Sequence, residues 1–447
     1  MRVKKLALLA ASLLTFPTMA AASDPRADAA RIDALFDKDY PQLEAMYKDI
    51  HQHPEIAFHE VRTAALLAGK MRKLGFEVTE KVGGTGVVAL YRNGEGPTVL
   101  VRTELDGLPL LEKTGLPYAS HATQEIDGKV VPTMHGCGHD IHMSWWLATA
   151  QALLAMKDRW HGTLLFVAQP AEETVEGAKA MLKDDFLKRF PKPDYGFAAH
   201  VMPYPTGTVL LKEGAVSSAA DAVKITFKGK GAHGSMPADS IDPIVMGAHF
   251  VSDVQTLISR ELTPGTFGVV TVGTFHAGTV ENIIPDSSEL RLTLRSHDAE
   301  VRKQLMAGIR KTAIAAAAMA GAPEPDIAYL YGTGVTFNEV KLTDAVAQKL
   351  KIAMPEQVMV EPDYKPAGAG SEDYSEFVNA GIPSVFIGIG GSSQAVLDQA
   401  KKDGRKPPVN HSPFFAPDPQ PSIRAGMKAL TLSVLSVAGV DLPSPRS

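Results

Sequence analysis

The chain has 447 residues, 45% of them hydrophobic and 21% charged, with a formal net charge of -5. That composition is ordinary for a globular protein and excludes disorder, collagen-like repeats and coiled coil. The mild negative charge, without any lysine or arginine block, speaks against nucleic acid or an anionic membrane as partner.

Arg2, Lys4 and Lys5 precede an apolar stretch from Leu6 to Leu14, followed by Pro17 and Ala20-Ala21-Ala22. This pattern reads as a cleavable secretory signal over residues 1–22. The apolar run is too short for a stable bilayer span, so the expected mature protein is periplasmic or secreted and has no membrane anchor. In that oxidising destination the single cysteine, Cys137, rules out an intrachain disulfide.

The first strand that matters runs from Thr98 to Arg102 and leads into Glu104-Leu105-Asp106-Gly107. Next comes His135-Gly136-Cys137-Gly138-His139-Asp140, a glycine-bracketed turn in front of an apolar helical stretch, Ile141 to Leu154. Asp140 is positioned to cap that helix. Cys137 and His139 then sit at a helix N-terminus, where the local field is expected to lower the thiol pKa and favour a metal-binding thiolate. His142, already on the helix, reads as a packing residue or a support for a ligand.

A buried strand, Gly162 to Ala168, ends in Gln169-Pro170-Ala171-Glu172-Glu173. Such an acidic pair is often no more than a solvated helix start, but strand ends are also where open α/β sheets place their chemistry. Tyr195 to Ala199 repeats the arrangement and ends in His200. Toward the other terminus, the strand Ser384 to Ile389 is followed by a polar loop carrying Asn410-His411. Thiol, imidazole and carboxylate groups from distant segments thus converge on one sheet edge. That donor set suits zinc or another first-row divalent ion.

Between these parts the pattern changes. A half-buried strand over Ala222 to Lys228, a helix over Asp242 to Leu257, strands over Gly268 to Phe275 and Ser288 to Ser296, and a helix over Ala299 to Met319 make a β-α-β-β-α unit. It reads as an inserted domain of about a hundred residues.

On these motifs, together with His51-Gln52-His53-Pro54-Glu55, the sequence resembles the M20 family of metallopeptidases and amidohydrolases. The Cys-Gly-His-Asp turn points to the branch of N-acyl-amino-acid amidohydrolases, hippurate hydrolases and auxin-conjugate hydrolases. The resemblance implies an α/β fold: a mixed-sheet catalytic domain with helices on both faces (residues 23–218 and 332–447) and an inserted smaller α+β lid domain (219–331). It implies that Cys137, His139, Glu173, His200 and His411 ligate two divalent ions, zinc or manganese before cobalt or nickel, with Cys137 as the bridge. Glu172 is implied as general base and the lid residue His233 as an aid at the scissile carbonyl. Asn282 and Arg295 are implied to bind the substrate's carboxylate, and Gly370-Ser371-Glu372-Asp373 to line the cleft. Glu104 departs from the family pattern, which more often has aspartate or histidine there, and Asp106 is expected to orient a ligand.

The expected substrate is an N-acyl or N-aroyl amino acid or related conjugate, with a dipeptidase or small-peptide carboxypeptidase as the alternative. Family relatives occur as monomers and as homodimers paired through the lid. A cysteine hydrolase using Cys137 would leave Glu172, Glu173, His200 and His411 without a task. A non-catalytic binding protein would leave the whole set unused.

Overall fold

The computed structural model describes residues 24–126, 128–361 and 367–440. The signal expected over residues 1–22 lies outside them. Among the described residues no helix is long and apolar enough to cross a membrane.

Eight strands form the main sheet: β1 (Glu77–Val82), β2 (Gly86–Asn93), β3 (Thr98–Glu104), β4 (Gly162–Gln169), β5 (Tyr195–Pro205), β6 (Val209–Lys212), and later in the chain Val358–Glu361 and Ser384–Ser392. A second sheet of four strands comprises β7 (Ala219–Lys228), β8 (Gly268–Ala277), β9 (Ser287–Ser296) and β10 (Asp326–Thr333). The two late strands of the main sheet are therefore β11 (Val358–Glu361) and β12 (Ser384–Ser392). The main sheet runs in the order β1-β2-β4-β3-β5-β12-β6-β11. Its centre is parallel, with β3 beside β4 and β5, and β5 beside β12. The pairings β1-β2, β2-β4 and β12-β6 are antiparallel, so the sheet is mixed.

Alternation along the central strands feeds two cores. Val99, Val101, Leu164 and Phe166 point into one cluster, whereas Leu100, Leu165, Val167 and Ala198 point into another. Both faces are thus covered, as a largely parallel sheet requires. On the first face lie α1 (Pro25–Gln52), α2 (Val61–Lys73) and α3 (His139–Ala155). In α3 every residue from His139 to Ala150 is buried, which is why it reads as apolar all round rather than as one stripe. The indole N–H of Trp146 donates to the Val101 carbonyl at 3.0 Å, tying α3 to β3. The helix Pro419–Ala438 crosses α3 at Gly426, where an added Cβ would lie 2.4 Å from the Trp145 ring.

The second sheet has its own core, drawn from residues 223 to 327, and packs the helices Pro243–Asp253 and Ala299–Met319 on one face. Its strand order is β8-β9-β7-β10. The sequence pattern anticipates β7, β8 and β9 to within a few residues but not β10, whose outward face carries exposed Tyr329 and Tyr331. That face hides the hydrophobic alternation that marks a half-buried strand. The first lid helix also stops at Asp253, and a π-helical turn over Leu257–Glu261 follows.

Two local expectations need correction. The helix of the Cys-Gly-His-Asp turn begins at His139, and its N-cap is Gly138 at φ 90°. Asp140 sits in the first turn, where its carboxylate accepts the Ile141 N–H at 2.9 Å. A side chain at 138 is doubly disfavoured, by the left-handed backbone and by Val201 Cγ1 2.5 Å from where its Cβ would stand. His200 lies inside β5 rather than beyond its end, because the strand continues to Pro205 along β12.

The α3 crossing yields a stability test. Gly426→Val should cost about 1–3 kcal/mol through overpacking against Trp145, read as a lower denaturant midpoint; an unchanged midpoint would show that the crossing has slack.

Candidate metal centre

Four parallel strands, β4, β3, β5 and β12, run side by side, and the residues of interest lie at or just beyond their C-terminal parts. Asp106 follows β3, Glu172 and Glu173 follow β4, and His200 faces out of β5. The turn before α3 adds Cys137 and His139, and the loop between the helices Gln394–Lys402 and Pro419–Ala438 adds His411. The backbone there is held in costly shapes: Ala171, Val175 and His411 all have positive φ, at 50°, 53° and 68°. Strain of that kind persists only where surrounding bonds enforce it. The Glu60 carboxylate accepts the Ala171 N–H at 2.8 Å, and the His411 N–H donates to the Gly136 carbonyl at 2.8 Å.

Two of the triads that the donor atoms form share one residue. Cys137, His139 and His200 make the first, Cys137, Glu173 and His411 the second, and within each the candidate ligand atoms lie within 4.8 Å of one another. Cys137 Sγ is 3.4 Å from His200 Nε2, and His411 Nε2 is 3.2 Å from a Glu173 oxygen. All five residues implied as ligands by sequence therefore meet at one place, with the thiol in the shared position.

The imidazoles of buried His139 and half-buried His200 are oriented by main-chain carbonyls. His139 Nδ1 donates to the Asp106 carbonyl at 2.7 Å and His200 Nδ1 to the Val201 carbonyl at 2.8 Å. Each bond directs Nε2 at the cluster, the arrangement outer partners impose on metal-ligating histidine. The Asp106 carboxylate does a second job by accepting the Glu173 N–H at 2.9 Å. His142 is excluded as a ligand: Nδ1 donates to Glu104 at 2.9 Å and Nε2 accepts the Val201 N–H at 2.9 Å.

The site fits a cation. His139 Nε2, Glu173 Oε1 and Asp106 Oδ1 are buried without a hydrogen-bond partner in the protein, a costly state that a divalent ion at Nε2 and Oε1 would relieve. Electrostatics agree. Burial, with Glu173 and Glu172, pushes the Cys137 thiol well above its usual value, reversing the lowering expected from the helix terminus. The carboxylates are closer and more numerous than one helix dipole can offset. Burial opposes charge on His139, yet its Asp106 contact with Glu104 and Glu173 raises it to about 10. A thiolate and a neutral imidazole thus require a positive charge in the cluster.

Glu172 and Glu173, although neighbours, are driven apart. Burial together with Glu372 and Glu173 holds Glu172 well above the carboxylate range. Glu173 is also buried, but its bond to His411 and the nearby His139 pull it below that range. One carboxyl is suited to ligation and the other to proton transfer.

Beneath the cluster lies a charge network that the sequence reading did not single out. Arg102 is fully buried. It bonds Glu104, Glu372 at 2.7 Å, Asp373 at 3.1 Å and Gln169 at 3.0 Å. Glu104 in turn accepts from His142 Nδ1, in keeping with a supporting role. A buried histidine, His51, bridges Asp140 at 2.6 Å and Glu112 at 3.2 Å. Glu104 and Glu372-Asp373 stand out in the sequence, but nothing there ties them to Arg102, an arginine inside an apolar strand run.

The implied lid residues divide. Arg295 lines the same cavity of about 380 Å³ as Cys137, Glu172, Glu173, His200 and His411. His233 and Asn282 do not line it. His233 is exposed, with Nδ1 2.7 Å from Ser235 Oγ, and pairs with Ile283 on a small ribbon beside Asn282. Within one chain, the two residues expected at the scissile carbonyl and the substrate carboxylate therefore stand away from the ligands.

Comparison with known proteins agrees with this geometry. The sequence profile of peptidase family M20/M25/M40 matches residues 100–403. A hippurate hydrolase of Campylobacter jejuni is 38% identical over 264 residues, 59% of this chain and 66% of that enzyme, just under two thirds of its length. Thermostable carboxypeptidase 1 of Saccharolobus solfataricus is 34% identical over 351 residues, 77% of this chain and 84% of that enzyme. Among solved structures, the YxeP protein of Bacillus subtilis, described as a dinuclear metal-binding M20 peptidase, superposes with a TM-score of 0.72 at 27% identity, covering 90% of this chain and 99% of that one.

Two measurements follow from these charges. Titrating zinc or manganese into metal-free protein near pH 7 should release protons, because Cys137 and His139 must lose theirs to bind; affinity should rise with pH, and Cys137→Ser should lower both metal content and proton release. Burial opposes charge on His51, but Asp140 and Glu112 raise it to about 10 from an ordinary 6.5. Its stabilisation is then complete below about 6.5 and is lost as pH climbs through about 10. His51→Gln should therefore cost about 3 kcal/mol or more near neutrality, and the gap in unfolding free energy should narrow towards pH 10; a gap that does not change with pH would refute the imidazolium.

Proposed function

The chain belongs to peptidase family M20/M25/M40, and we propose that it is a metal-dependent amidohydrolase that cleaves the amide of N-acyl or N-aroyl amino acids. The observation that carries this reading is the pair of ligand triads sharing Cys137, set beside a carboxyl, Glu172, whose proton affinity is raised. The relatives' activities support it: one is a hippurate hydrolase, others are deacetylases of N-acetylcysteine and N-acetyldiaminopimelate.

In this reading Cys137, His139, Glu173, His200 and His411 hold two divalent ions, zinc or manganese. Such ions lower the pKa of a bound water to about 7 and polarise a carbonyl. Glu172 takes the proton of the attacking water and returns it to the departing amine. Arg295, lining the same cavity, offers a guanidinium fork to the substrate's carboxylate. Asp106 and Glu104 keep His139, Glu173 and His142 in place.

A carboxypeptidase or dipeptidase would use the same centre and the same carboxylate clamp, and carboxypeptidases are among the relatives. Assaying acyl-amino acids beside dipeptides separates the two. Export is supported by Arg2, Lys4 and Lys5, the apolar run and Ala20-Ala21-Ala22. Pairing through the lid is supported by the exposed apolar side chains Phe275, Val280 and Ile283.

Glu172→Gln should keep its metal and lose activity by a factor of about 100 to 10,000. Near-full activity with normal metal content would remove Glu172 as the base.

A further inference from the structure

Three separate stretches of chain that carry ligands meet at one side chain that is not a ligand. Cys137 and His139 belong to the turn and first residue of α3, His200 to β5, and His411 to the loop between the helices Gln394–Lys402 and Pro419–Ala438. Asn410, half-buried in the wall of the ligand cavity, joins all three. Its amide nitrogen donates to the Cys137 carbonyl at 3.0 Å and to the Val201 carbonyl at 3.1 Å, and stands 4.0 Å from Cys137 Sγ. A primary amide carries two N–H donors on one nitrogen, and here both serve main-chain oxygens at or next to a ligand. Turned the other way, the amide oxygen would face two carbonyl oxygens, so only this orientation is favourable.

The two triads that share Cys137 are unequally supported. His139 opens a helix and His200 lies within a strand, and each has Nδ1 fixed on a main-chain carbonyl. His411 stands on a loop without helix or strand, at φ 68°, with its side chain 55% exposed. Its N–H donates to the Gly136 carbonyl at 2.8 Å, and Asn410, the residue before it, supplies the side-chain ties. Further along, the loop is anchored without Asn410. The Lys113 N–H donates to the Pro413 carbonyl at 2.8 Å, and Phe415 is buried beside Gly138. The bonds of Asn410 therefore do not keep the loop on the protein; they set where His411 stands relative to Cys137.

We propose that Asn410 is a positioning residue for the ion held by Cys137, Glu173 and His411: without touching the metal, it fixes the span between the thiol and the loop imidazole and so governs occupancy of that triad. The inference rests on the two-ion reading above. Loss of such an outer partner lowers metal affinity by about 10- to 100-fold. His139 and His200 keep their own carbonyl partners, so the loss falls on one ion of the two.

The test titrates metal-free protein with manganese, followed by calorimetry and by electron paramagnetic resonance, in which two ions bridged by one thiolate are spin-coupled. Wild type should take up two ions and show the coupled signal. Asn410→Ala should bind one ion about 10- to 100-fold more weakly and the other within about threefold of wild type, with the signal of an uncoupled ion at stoichiometric metal. Asn410→Leu, which keeps the volume but has no donor, should behave alike. Excess manganese should restore the coupled signal in both variants but not in His411→Ala, because only the last has lost a donor atom. Equal weakening of both ions, with a lower denaturant midpoint of the metal-free protein, shows a general structural role and overturns the proposal. Wild-type affinity for both ions in the Asn410 variants overturns it as well and leaves the two-ion reading intact. A wild type that holds one ion or none overturns both.

Discussion

The site depends on a guanidinium that never meets water. Arg102 lies at the centre of the main sheet, bonded to Glu104, Glu372, Asp373 and Gln169. Charges taken out of water are tolerated only when paired and fully hydrogen-bonded, so the three carboxylates and the guanidinium fix one another's positions. Through Glu104 that order passes to His142, from His142 to the Val201 amide, and so to the strand segment that presents His200. Through Asp373, which accepts the Ala178 N–H at 2.9 Å, it reaches the loop after Glu172 and Glu173. Replacing the whole network by apolar side chains could preserve packing, but would leave the ligand-bearing loops without the bonds that aim them.

Above this network the carboxylates outnumber the cations. Glu172, Glu173 and Asp106 gather around Cys137 and His139, and without a compensating cation burial holds the thiol protonated and keeps Glu172 above the carboxylate range. The protein thus stores an electrostatic deficit in the space where its unpartnered donor atoms converge. A divalent ion resolves both the charge and the missing bonds. The same deficit distinguishes Glu172 from Glu173: His139 lies 3.8 to 3.9 Å from both, but Glu173 also has His411 at 3.2 Å, whereas Glu372 and Glu173 press on Glu172.

Much of this was legible in the residues. The glycine-bracketed Cys137 turn, the Glu172-Glu173 pair and His200 each stand beside an element whose hydrophobic pattern is strong, so their convergence could be inferred from parallel-sheet topology alone. His411 was legible only by resemblance, since its loop has no periodicity. Arg102 was not singled out, and His51 only as part of a motif, because their meaning lies in partners far away in sequence: Glu372 and Asp373 for one, Asp140 and Glu112 for the other. β10 was missed because its exposed tyrosines break the alternation.

By itself the sequence determined the type of fold, the types of candidate donor groups and the order in which they occur, because hydrophobic period and turn chemistry are local properties of the chain. Only the tertiary structure decided the upward push on the Cys137 thiol, the opposite shifts of the two glutamates and the placing of Arg295 in the cavity with His233 outside it. Those depend on distances and on the water excluded between segments, and burial acts on a charge through everything packed around it rather than through its neighbours in the chain.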